Sequence, residues 1–70
     1  MNWNHRIFKE GEVYSIREAY YEDGKVVSWT EAEPVTGEDV EDLKKYYEYM
    51  SEAFKGPVIE VDGDNILDKN

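Results

Sequence analysis

The chain has 70 residues, 40% of them hydrophobic and 36% charged, with only two prolines, which is the composition of one small globular domain and excludes a multidomain enzyme. It contains no cysteine, so disulfides, thiolate nucleophiles and cysteine-based metal centres are excluded. The net charge of −9 is concentrated in residues 31–70, which hold twelve acids against four lysines, and it argues against nucleic-acid phosphates or anionic membranes as direct partners. A basic protein is the more natural partner. No apolar run approaches the ~18 residues that span a bilayer, and the start Met1-Asn2-Trp3-Asn4-His5-Arg6 has no hydrophobic signal core. These features predict a soluble, cytoplasmic protein. One small core offsets the conformational entropy of folding only narrowly, so partner binding or self-association is expected.

In chain order, Trp3 to Lys9 alternates in the manner of a strand, and Glu10-Gly11 supplies a turn. The β-formers Val13, Tyr14, Ile16, Tyr20 and Tyr21 predict a second strand over 12–21, closed by Glu22-Asp23-Gly24, and Lys25 to Thr30 a third. Two-residue turns would place Trp3, Ile7, Tyr14, Ile16, Tyr20, Val27 and Trp29 on one face, with a different loop register flipping the third strand. Val40, Leu43, Tyr47, Met50 and Phe54 fall on one stripe of a helix over about 37–55, and this stripe is the expected cover for that aromatic face. Thr36 and Asp39 have capping-box spacing, while Lys55-Gly56-Pro57 reads as a helix end with a C′ glycine. Val58 to Val61 reads as a fourth strand. The predicted fold is α+β, a three-stranded antiparallel meander followed by one helix packed on one sheet face and a short C-terminal strand, β-β-β-α-β. A single domain is expected over residues 1–62, with 63–70 a flexible acidic tail.

One helix covers one face of such a sheet. The opposite face, with Arg6, Phe8, Val13, Arg17, Ala19, Tyr21 and Val26, is then left open as a candidate interface. Tyr46 and Tyr49 flank the helix stripe and are further interface candidates. A third surface is acidic: Glu31, Glu33, Glu38, Asp39, Glu41 and Asp42 crowd six carboxylates into twelve residues. Acids at a helix start stabilise it, and Lys44 and Lys45 pair with Glu41 and Asp42, which is one account of the cluster. The other is mimicry of nucleic-acid phosphates.

Catalytic groups are few. The one imidazole, His5, has Glu18 as candidate partner, diagonal to it across the first two strands, and the pair reads as mutual hydrogen bonding rather than catalysis. Asp62-Gly63-Asp64-Asn65 lacks the remaining ligands of a calcium loop, and no phosphate loop or Ser-His-Asp set occurs. No enzyme, cofactor or metal site is therefore expected.

The segments Trp3-Asn4-His5-Arg6-Ile7, Tyr14-Ser15-Ile16-Arg17-Glu18, Tyr20-Tyr21, Asp23-Gly24-Lys25, Ser28-Trp29-Thr30-Glu31 and Lys55-Gly56-Pro57-Val58 resemble a family of small uncharacterised bacterial and phage proteins across nearly the whole chain. The resemblance implies a compact prokaryotic or phage domain and carries no activity with it. A looser similarity, in topology and in the Thr-plus-acid helix start, is to HicB-type antitoxins. Together these features point to a small acidic, non-enzymatic interaction domain that binds a protein partner or itself through the open sheet face or the helix flank. The alternative is a phage-type or antitoxin-like inhibitor whose acidic segment 31–42 blocks a basic site.

Overall fold

The computed structural model describes residues 2–67. They form β1 (Asn2–Glu10), β2 (Val13–Glu22), β3 (Lys25–Trp29), the helix α1 (Val40–Met50) continued by a 3₁₀ segment (Ser51–Lys55), β4 (Ile59–Asp62) and β5 (Asn65–Ile66). The fold is α+β, with a mixed, curled sheet of order β3-β2-β1-β4-β5. β4 runs parallel to β1, and the other neighbouring pairs are antiparallel.

Two-residue loops close the hairpins. Asp23 and Gly24 both take positive φ, 53° and 78°, the combination that matches the right-handed strand twist. The first loop is Gly11-Glu12, one residue later than the sequence predicts, so Glu18 lies directly opposite His5 rather than diagonal to it. A third hairpin, without a counterpart among the predicted elements, joins β4 to β5. Asn65 and Ile66 pair back onto Asp62 and Val61, beyond the domain end expected at residue 62, and the Leu67 N–H donates to the Glu60 carbonyl at 2.7 Å. The last residues of the expected flexible tail, 68–70, lie outside the described residues.

The face predicted to be open is a core. Phe8, Ala19, Ile59 and Val61 are buried there, and Tyr21, Val26 and Trp29 pack against them. Two causes combine. Val26 stands opposite Tyr21 as the tight turn requires, and the register then slips between Tyr20 and Tyr21, a bulge that puts Trp29 opposite Ala19 and so turns it onto the Phe8 face. The sheet also curls, so that the Trp29 ring meets Phe8 at 5.8 Å and the Arg17 guanidinium lies 5.6 Å from the Phe8 ring centre.

Polar side chains close the rim of this core. Arg17 donates to Glu10 Oε1 and Ser15 Oγ, both at 3.1 Å, and Glu10 Oε2 accepts from the Gly63 N–H at 2.9 Å. The Gly63 hydrogen bond, then Arg17, holds the Glu10 carboxyl below the usual carboxylate range. A group lowered in the fold stabilises it above its unfolded pKa, and the contribution fades as pH falls through the folded pKa. Glu10→Gln is therefore expected to flatten the acid limb of a Tm-against-pH curve, the two variants converging once the pH lies below the folded pKa of Glu10.

The helix starts one turn later than predicted. Asp39, not Thr36, is the cap: its Oδ1 accepts the Asp42 N–H at 2.7 Å, and Asp42 reaches back to the Glu38 N–H at 3.0 Å. At the other end Gly56 is extended, φ −107°, instead of left-handed. The need for glycine there is space, because a Cβ would collide with the Arg6 guanidinium, which bonds the Pro57 carbonyl and the Tyr21 hydroxyl. None of the helices among the described residues is long and apolar enough to cross a membrane.

Candidate functional site

The predicted helix stripe does not cover the sheet. Val40 is 82% exposed, Tyr47 56% and Phe54 67%, and Leu43 is also exposed; only Met50 of the five is buried. The side of the helix turned to the sheet is instead Tyr46, Tyr49, Met50 and Ala53, which is also a helical spacing, about one residue's rotation away. Met50 and Ala53 are buried, Tyr46 donates to Glu33 Oε2 at 2.9 Å, and Tyr49 stands edge-on to His5 at 4.9 Å and to Trp3 at 6.4 Å.

This rotation is set by the polar contents of the second sheet face. His5, Trp3, Ile7, Ile16, Glu18 and Tyr20 share that face by the register of β1 and β2. His5 is 1% exposed, and a buried imidazole needs hydrogen-bond partners. Glu52 supplies them: its Oε2 accepts from the His5 backbone N–H and meets His5 Nδ1, each at 3.0 Å. The backbone bond first, then the ring, hold the Glu52 carboxyl below its ordinary range. An aliphatic stripe facing the sheet would leave His5 without these partners.

Two further carboxylates gather at the same imidazole. After β3 the chain is pinned along β2, Thr30 N–H to the Glu18 carbonyl at 3.1 Å and Glu33 N–H to the Ile16 carbonyl at 2.9 Å, so the Glu33 side chain is brought to Glu18. A ring nitrogen of His5 and one carboxylate oxygen each from Glu18 and Glu33 lie within 4.8 Å of one another. Tyr20 donates to Glu18 Oε1, which lowers the Glu18 pKa and raises that of the phenol; Tyr46 is raised likewise by its bond to Glu33.

The predicted candidates are therefore redistributed. Phe8 is buried and out of a partner's reach; Arg6, Arg17 and Tyr21 are half-buried and bonded around that core; Val13 alone of the face stays well exposed. Tyr46 bonds Glu33, and Tyr49 sets its ring against His5 while staying 51% exposed. Of the six acids, Glu31, Glu38, Asp39, Glu41 and Asp42 are exposed, with Asp39 and Asp42 engaged in capping, while Glu33 turns inward to the His5 cluster. Glu52 carried no sequence signal, since it is 47 residues from His5.

What remains unpartnered is the stripe itself. Val35, Val40, Leu43, Lys44 and Tyr47 line a shallow, mostly apolar groove, next to the acids of the helix start. Fold and site together define a small α+β domain with an exposed helix stripe and a histidine-carboxylate cluster built on a buried imidazole. The chain matches no family model, no curated protein and no solved structure in these comparisons.

Proposed function

We propose that the protein is an acidic interaction module whose docking surface is the outward stripe of α1 and whose occupant is a protein segment with apolar residues flanked by Lys and Arg. The observation that carries this reading is the exposure of Val40, Leu43 and Tyr47 on a helix whose other side already holds the sheet. An apolar stripe at helical spacing with nothing beneath it is the form a helix takes when its cover is another molecule. Charge sets the kind of cover. Glu38, Asp39, Glu41 and Asp42 are all exposed at one end of the groove, so a basic rim is attracted and an acidic second copy repelled.

The test uses a synthetic amphipathic Leu/Lys peptide and its Leu/Glu counterpart, titrated into the isotopically labelled chain. The Leu/Lys peptide is expected to shift the amide signals of Val40, Leu43, Lys44 and Tyr47, less so at high salt, and Tyr47→Ser to abolish the effect. Equal binding of the Leu/Glu peptide, or shifts confined to the sheet, would overturn the assignment. So would sedimentation showing a dimer that Tyr47→Ser dissociates, since the occupant would then be a second copy.

A further inference from the structure

We propose that His5, Glu18 and Glu33 form a binding site for a divalent transition-metal cation, with zinc as the reference ion. The site is a histidine with two carboxylates, not an acidic patch, and each donor comes from a different part of the chain: β1, β2 and the segment after β3. One imidazole nitrogen and two carboxylate oxygens lie within 4.8 Å of one another, close enough for small side-chain rotations to bring all three around one ion at the ~2.0–2.2 Å such ligands require.

Three features of the surroundings fit a cation. First, Glu33 Oε1 is buried and has no hydrogen-bond partner, although Oε2 is held by Tyr46. A buried carboxylate oxygen left bare is costly unless something positive meets it. Second, two carboxylates converge here, and among the described residues no Lys or Arg forms an ion pair with either. Like charges held this close call for a proton or a cation between them. Third, the supporting shell has the form that metal-bound histidines use. Glu52 engages Nδ1 and fixes the ring, which leaves Nε2 as the ligating nitrogen, while the Tyr20 and Tyr46 hydroxyls orient the two ligand carboxylates.

Mixed nitrogen and oxygen donors favour a first-row transition ion over magnesium or calcium, which prefer all-oxygen sites. Three protein ligands leave room for one exogenous ligand, as open sites do.

The experiment treats the purified full chain with chelator and then titrates zinc chloride by calorimetry, with magnesium chloride as the comparison ion. One zinc per chain is expected, with magnesium weaker by at least about tenfold. Glu33→Gln is expected to weaken zinc at least about tenfold, and Glu52→Gln, which acts through ring orientation, by about 10–100-fold. Asp64→Asn, remote from the cluster, should bind as the parent does. The chain has a single histidine, so its imidazole nitrogen signals report the site in the unmodified protein, even if a variant fails to fold. No zinc uptake by the parent, uptake that leaves the imidazole signals in place, or a folded Glu33→Gln that binds as tightly as the parent would each overturn the proposal.

Discussion

Phe8→Ala is expected to cost about 3–5 kcal/mol, because the ring is wholly buried and its neighbours Trp29, Ile59 and Arg17 sit on different elements that cannot all close the cavity. For 70 residues the whole stability is about 3.5–10 kcal/mol, so the variant should be largely unfolded or close to it. Urea unfolding followed by Trp fluorescence measures the difference. A loss under about 1 kcal/mol would mean that Phe8 lies on a surface, as the strand alternation first suggests, and not in a core.

The second large effect belongs to Glu52. Glu52→Ala removes the acceptor for both the backbone N–H and Nδ1 of a histidine that is 1% exposed. Leaving buried donors unmatched costs about 1–3 kcal/mol each; partial exposure of Glu52 lets water recover some of that, so about 2 kcal/mol in total is expected. Glu52→Gln keeps one acceptor oxygen and should cost about half as much. Hydrogen exchange at the His5 amide discriminates: it should speed up more in the alanine variant than the global loss of stability explains, whereas an equal speeding of all core amides would deny a specific bond.

Local signals in the sequence translated well into structure. Asp23-Gly24 makes the tight turn it predicts, the helix between Thr36 and Lys55 forms, and the segment from Val58 to Val61 supplies a fourth strand. What failed was the choice of faces. Both sides of the β1–β2 ribbon carry aromatic and branched residues, so alternation alone does not say which side a helix will take. The one-residue slip at Tyr20 and Tyr21 then places Trp29 on the other side, and nothing in the composition of that stretch marks a bulge.

The two faces of the helix differ from expectation for a related reason. Val40, Leu43 and Tyr47 form the more apolar stripe, yet the sheet takes Tyr46 and Tyr49, because the surface it presents holds a histidine and carboxylates that phenol groups and ring edges can satisfy. Hydrophobic periodicity locates a helix but ranks its faces by oiliness, which misleads when the core beneath is polar. The cluster itself was half legible. His5 and Glu18 could be paired from the hairpin, whereas Glu33 and Glu52 arrive through contacts that only the tertiary fold creates.

The parallel pairing of β1 with β4 also imposes an order in time. Phe8 lies opposite Ile59, near the other end of the chain, and the two are neighbours only after the meander, the helix and the 3₁₀ segment have all been made. During synthesis Ile59 and Val61 emerge well after Phe8, so the N-terminal ribbon waits with that side of its largest buried side chain uncovered. Closure of so long a loop is the slow kind of folding step. Completion of the core is thus left to the strand that follows the helix: a nascent or truncated form ending before Ile59 exposes an apolar strand face for as long as it persists.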